Sequence, residues 1–333
     1  MALTKPERLV FEELCNDSRI SSAELARRLN ITRYNATTLL KDLDKKYHIS
    51  YVPELDYTKL GFAPLHIFYL NFEKKPKGSE LKKLISRSAR IFFFATTKGD
   101  FDAIAFALSR NPMEYSQIEV GLQASLIDYK TAFRSAALTG TRFGFMPISN
   151  TQLENASLDE NYKKLLLKLN LNSRKPIKEL ASETGIKENL VNYYIGKMQQ
   201  EGIIKRFTSY ISDRVYKTTM IAFISYQISK GVASRIEMER HELYFSEDDN
   251  IEDFNHLQEM WSITGAAQAF IMASFDDSKS ARELIGKHNE IYKPDNPSVK
   301  YAEIEEVLIG SIPFRKMSLR KHYDQTSWPM EII

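Results

Sequence analysis

Hydrophobic positions recur along this chain with two alternating periods. Up to about residue 46 the spacing is helical: Leu9, Val10 and Leu14, then Leu25, Ala26 and Leu29, then Ala36, Leu39, Leu40 and Leu43. Thr4, Ser21 and Thr32 stand where each helix would be capped, with Pro6 in the first turn of the first. Asn16-Asp17-Ser18 and Asn30 read as stops, and HISYVPELDY as a β-rich wing. From Leu65 the pattern changes. LHIFYLNFE, RIFFFATT, FDAIAFALS and YKTAFRSAAL are strand-like, while SELKKLISRSA and MEYSQIEVGLQASLID are helical. The order is βαββαβ, a split βαβ unit.

The whole pattern then occurs again. Ser18-Arg19 aligns with Ser173-Arg174 at a shift of 155, and at that shift Glu24-Leu25-Ala26 meets Glu179-Leu180-Ala181. Ala36 meets Val191, Leu40 meets Ile195, Leu43 meets Met198 and Ile49 meets Ile204, without a gap. Further on, Gly99 aligns with Gly265 at a shift of 166, so eleven extra residues are expected in the acidic stretch SRIEMERHELYFSEDDNIEDF. The second βαββαβ unit reads TTMIAFISYQI, a helix after Gly231, WSITG, AQAFIMASF, DSKSARELIGKHNEIY and VKYAEIEEVLIG. The expected fold class is α+β, with two winged helix-turn-helix domains alternating with two ferredoxin-like domains. The expected bounds are 1–60, 61–148, 149–216 and 217–333, with SNTQLENAS near Ser149 as a polar linker.

Three short helices with a tight turn before the third make a helix-turn-helix, whose third helix fits the major groove. In the first copy its outward face carries Arg33, Tyr34, Thr37, Thr38 and Lys41; in the second, Glu188, Asn189, Asn192, Tyr193 and Lys197. Arg, Asn and Thr can reach base edges there, while Lys and backbone amides hold phosphates. The second wing, GIIKRFTSYI, places Lys205 and Arg206 side by side. The bland alternative is that these helices only pack against the α/β units or a protein partner.

Composition narrows the classes. The chain has 333 residues, 43% hydrophobic and 27% charged, which fits several soluble domains rather than disorder. No apolar run reaches the roughly 18 residues of a membrane helix, and MALTKPERLVFEELC is too interrupted by charge for a signal peptide. A cytoplasmic protein is expected, with no membrane partner. The lone Cys15 excludes an internal disulfide framework, and it reads as a core residue or a redox sensor. The net charge of +3 is too small to imply nucleic acid. Its placement says more: residues 157–217 hold twelve Lys/Arg against seven Asp/Glu, whereas residues 1–59 hold ten against nine.

A winged helix-turn-helix followed by βαββαβ, with the hairpin TKGDFDAIAF, resembles the leucine-responsive/asparagine-regulator (Lrp/AsnC) transcription factors. SRISSAELARRLNITRYNATTLLKDLDKKYHIS resembles their DNA-binding helices, and GDFD (Gly99–Asp102) their Gly-Asp-aromatic-Asp turn. Ordinary members carry one copy, so the chain looks like a tandem fusion. The resemblance implies double-stranded DNA as partner, a homodimer through the ferredoxin-like sheets, and a small-molecule effector such as an amino acid near the hairpin turns. Carried over by position, it assigns DNA contacts to Arg33, Tyr34, Thr37, Thr38 and Lys41, and to Lys187, Asn189, Asn192, Tyr193 and Lys197. Tyr51, Lys205 and Arg206 would be wing contacts, and Gly99, Asp100 and Asp102 an effector pocket. The two carboxylates have a second reading as hairpin caps. The copies differ: GAAQ (Gly265–Gln268) stands for GDFD, Lys187 for the cap Thr32, and Gly202 for Tyr47.

Two heads on one chain favour pseudo-palindromic or split sites about one helical turn apart. No catalytic residue, cofactor or metal is expected. HELYF at His241 lacks the second histidine of a zinc-protease motif, and no phosphate loop or dinucleotide fingerprint is present. An interaction scaffold is one rival. Another is an enzyme, since relatives of this architecture decarboxylate siroheme. The basic, then aromatic tail ending in Trp328 could dock on its own domain or touch phosphate.

Overall fold

A computed structural model describes residues 3–62, 65–86, 90–143, 147–212, 218–225, 257–267, 269–275, 279, 282–283 and 298–314. The chain opens with α1 (Lys5–Asn16), α2 (Ser22–Leu29), α3 (Arg33–Tyr47) and β1 (Ser50–Leu55). The polar starts act as read. Thr4 and Glu7 form a capping box, while Ser21 and Thr32 accept from the Glu24 and Asn35 amides. Asn30 takes the left-handed conformation that lets α2 turn sharply into α3 (φ 52). Val10, Phe11, Leu14, Leu25, Ala36, Leu40 and Leu43 meet in one small core.

The second copy repeats this with α7 (Glu160–Leu171), α8 (Ile177–Thr184), α9 (Glu188–Gln200) and β6 (Ile204–Ser212). Gly185, at the place of Asn30, is also left-handed (φ 72). Two polar links recur at the 155-residue shift with changed chemistry. Arg28 pairs with Glu13 at 2.9 Å, and at the same places Glu183 pairs with Lys168 at 3.3 Å, with the signs exchanged. Glu7 accepts from Lys46 at 2.9 Å, where Glu201 accepts from the Tyr162 hydroxyl at 3.2 Å. At the helix end, the residue matching left-handed Gly202 is His48 (φ 50) rather than Tyr47, which ends α3 and is buried.

Between the winged units lie β2 (Leu65–Phe72), α4 (Gly78–Ile85), β3 (Ile91–Gly99), β4 (Ala103–Leu108), α5 (Pro112–Ser125) and β5 (Thr131–Phe143). The stretch read as a polar linker contains a short helix, α6 (Asn150–Glu154), because Leu153 and Ala156 are apolar enough to bury. After β6 follow β7 (Thr218–Ser225), β8 (Leu257–Gly265), β9 (Ala269–Phe275), β10 (Ser298–Ile309) and β11 (Pro313–Phe314). The acidic stretch, most of DSKSARELIGKHNEIY and the tail with Trp328 lie outside the described residues.

Strands β2 to β5 pair in the order β3-β4-β2-β5, and β7 to β10 in the matching order β8-β9-β7-β10. The two sheets then join at both edges, β5 to β8 and β10 to β3, into one closed antiparallel barrel. Closure leaves neither sheet with an open edge. The homodimer expected through these sheets is therefore not what completes them: one chain supplies both halves. Tyr69, Phe101, Phe106, Phe223 and Phe270 fill the interior with ring contacts of 4.7–5.6 Å between centroids, linking the two halves. The outer face of the first sheet carries Phe68, Leu70 and Phe94 against Leu81 of α4 and Ile118 and Leu122 of α5.

Candidate nucleic-acid interface

The third helix of each winged unit is held by its apolar side, so the opposite side faces out. Ala36, Leu40 and Leu43 are buried on α3, and Val191, Ile195 and Met198 on α9. Arg33, Tyr34 and Lys41 are exposed, as are Lys187, Asn189, Asn192, Tyr193 and Lys197. The large rings stand out most, Tyr34 at 79% and Tyr193 at 57% exposure. Such rings on a polar helix face suit a groove better than a core. Thr37 and Thr38 are half-buried, and the Thr37 hydroxyl donates to the Arg33 carbonyl at 2.8 Å. Lys187 sits at the N-cap of α9 without a side-chain cap bond, whereas Thr32 caps α3. Lys197 lies 6.0 Å from the Tyr193 ring centre and 3.8 Å from Glu201.

The wing residues are placed differently from the sequence expectation. Strands β1 and β6 pair with each other, Ser50 opposite Tyr210 through Glu54 opposite Arg206. Tyr51 is consequently buried, its hydroxyl donating to Asp44 and its ring 5.2 Å below the Arg174 guanidinium. It is an internal residue and not a groove contact. Arg206 is bonded to Glu54 at 2.7 Å with both side chains largely buried, so its charge serves the strand pair rather than phosphate. Lys205 is half-exposed and lies 3.7 Å from Asp56.

A reciprocal lock beside these strands joins the two winged units. The Ser18 and Ser173 hydroxyls meet at 2.9 Å, both fully buried. The Ser18 amide donates to the Phe207 carbonyl at 2.9 Å, and the Ser173 amide to the Tyr51 carbonyl at 2.8 Å. Arg19 donates to the Ser173 carbonyl and Arg174 to the Ser18 carbonyl. Arg19 also lies over Phe207 at 5.3 Å, as Arg174 lies over Tyr51. Each of these contacts in one direction has a counterpart in the other, so the units are related by an approximate two-fold axis. Tyr51 thus corresponds to Phe207, a shift of 156, so the wings contain a one-residue slip that the gapless alignment missed. The identical Ser-Arg pair was visible in the sequence, but as an alignment anchor only.

The turn at Gly99 closes a barrel seam. Asp100 brackets Tyr301: its amide donates to the Tyr301 carbonyl at 3.0 Å, and its carboxylate accepts from the Tyr301 amide at 2.9 Å. Asp102 accepts from the Phe72 amide at 2.8 Å. A Cβ on Gly99 (φ 148) would stand 2.5 Å from the Tyr301 carbonyl oxygen. At the other seam Gly265 meets Ser135 in the same way, and the Ala266 amide donates to the Ser135 carbonyl at 3.0 Å. Ala266 lacks the carboxylate, so that seam has only the backbone half of the clamp. These partners match the hairpin-cap reading of the two aspartates. Among the described residues, no group of three His, Cys, Asp or Glu could hold a metal, and no helix is long and apolar enough to cross a membrane.

Comparison with known proteins places this geometry. A family model for winged helix-turn-helix DNA-binding matches residues 158–205, the α7 to β6 unit. The HTH-type transcriptional regulator FL11 of Pyrococcus horikoshii is 32% identical over 79 residues, 24% of this chain and 52% of that protein. FL11 of Pyrococcus abyssi is 23% identical over 109 residues, 33% of this chain and 65% of that protein. The chain thus spans about half to two thirds of the length of these relatives. Among solved structures, the siroheme decarboxylase NirDL covers 96% of this chain and 97% of its own, with a TM-score of 0.60 and 12% identity, a likeness of fold alone. Together the matched model and the two regulators make part of this chain similar to helix-turn-helix DNA-binding transcriptional regulators.

Proposed function

We propose that the chain is a sequence-specific DNA-binding transcription regulator of Lrp/AsnC type, acting in the cytoplasm. In this reading it is a tandem of two winged helix-turn-helix and two ferredoxin-like domains, divided near residues 60, 148 and 216. One observation carries it. Two third helices stand in equivalent frames, each buried along its apolar side, α3 presenting Arg33, Tyr34 and Lys41 outward and α9 presenting Asn189, Asn192, Tyr193 and Lys197, and the unit of α9 is the one matched by the DNA-binding model. Arg33, Tyr34, Lys41, Asn189, Asn192 and Tyr193 read bases, while Lys187, Lys197 and Lys205 hold phosphates. Modulation by an amino acid at Gly99, Asp100 and Asp102 is the weaker part, since both carboxylates already accept from backbone amides.

Fluorescence anisotropy with random and genome-selected duplexes at two salt concentrations tests this. Tight binding to a recovered motif, with weaker and steeply salt-dependent binding to random DNA, is the expected result. Weak binding without enrichment would sink it and leave the scaffold reading. The whole-chain likeness to NirDL favours a second reading, a tetrapyrrole-processing enzyme. A shared fold does not carry a shared reaction. Titration with an iron porphyrin, followed by its absorption band, separates the two: saturable binding supports the enzyme, and none supports the regulator.

A further inference from the structure

The reading helices occupy equivalent frames but expose unlike chemistry. At the 155-residue shift the first position of α3 is Arg33 and that of α9 is Glu188. Lys41 becomes Gly196, where an added Cβ would meet nothing within 4 Å, and Asp42 becomes Lys197. All of these positions are exposed. A guanidinium has only donors and an ionised carboxylate only acceptors. At one point of a half-site, Arg selects the acceptors of guanine, and Glu the amino donor of cytosine. A palindrome offers the same base to both heads, so it satisfies one and opposes the other. The heads cannot adjust independently. The β1–β6 ladder, the buried Ser18–Ser173 bond and the crossed Arg19 and Arg174 bonds fix their relation.

We infer that the chain reads an asymmetric duplex, with two unlike half-sites at one fixed spacing, and therefore binds DNA in one orientation. The half-site under α3 carries guanine where Arg33 reaches, and that under α9 carries cytosine at the matching position. This rests on the DNA-binding reading above and specifies its target.

The test uses the full chain. Duplexes are selected from a random library, and affinities are measured for the selected duplex and for two palindromes, each built from one half-site at the same spacing. The expected motif is non-palindromic, with each palindrome bound roughly ten- to a hundredfold more weakly. Glu188 is exposed, so E188R should fold, which circular dichroism checks; its recovered motif should become symmetric at that base pair. A palindromic or single half-site motif from the parent chain would overturn the inference, as would equal affinity for all three duplexes. An unchanged motif from E188R would also overturn it. Failure to bind any duplex above random would overturn the regulator reading, and this inference with it.

Discussion

His66 lies in β2 under α5, its ring 4.3 Å from that of Tyr115 and its Nε2 2.9 Å from the Ser109 hydroxyl. Burial pulls its pKa down to about 4. The native protein therefore holds the ring neutral at a pH where an unfolded chain would take up a proton. Stability from this source is present above about pH 6.5 and is lost as pH falls towards 4, by about 2 kcal/mol between pH 8 and pH 5. Urea unfolding across that window should show the decline, and His66→Gln should flatten it. Cys15 behaves oppositely, because burial pushes the thiol up to about 12 despite its bond to Ser209. At neutral pH it holds almost no thiolate, so a thiol reagent should modify native protein far more slowly than urea-unfolded protein. Equal rates would refute the sealed environment between α1 and β6.

The same thiol reports on the lock between elements. Ser18→Ala leaves the buried Ser173 hydroxyl without its Ser18 partner, which should cost about 1–3 kcal/mol and speed Cys15 modification. Arg206→Ala should act on stability before it acts on DNA, since it removes the cation paired with the largely buried Glu54 carboxylate. A loss of about 2–4 kcal/mol in urea unfolding is expected. A pure loss of DNA affinity at unchanged stability would restore the wing-contact role read from the sequence. At the seam, Gly99→Ala places a Cβ against the Tyr301 carbonyl and should cost more than about 1 kcal/mol. Asp100→Ala removes one acceptor from an exposed turn and should cost less, about 0.5–1.5 kcal/mol.

For the molecule as a whole, the barrel is closed by two halves of one chain. Its unfolding midpoint should therefore not rise with protein concentration, as it does where subunits complete each other's sheets. A midpoint that climbs over a hundredfold concentration range would show that a second chain contributes to the folded state. The copies keep one frame while residues change both inside and outside it: buried Leu40 and Leu43 stand where Ile195 and Met198 do. Exchanging Glu13–Arg28 for Lys168–Glu183 keeps an ion pair, and exchanging Arg33 for Glu188 alters only an exposed face.

Local rules were enough for much of this. The helix starts at Thr4, Ser21 and Thr32, the left-handed turn at Asn30, the strands of the first α/β unit and the outward faces of α3 and α9 follow from periodicity and capping. Those are interactions over three or four residues, and the chain displays them directly. The helix at Asn150–Glu154 and the left-handed His48 escaped because each depends on what packs around a few polar residues. The fates of Tyr51, Arg206 and Asp100 were out of reach for a stronger reason. Their partners Arg174, Glu54 and Tyr301 stand 123, 152 and 201 positions away, and no local pattern records them. Sequence by itself determined that two similar sets of elements exist. Only the tertiary structure decided that the sets face each other about a two-fold axis. Edge pairing of strands is satisfied by any suitable edge, and chain geometry selects which one.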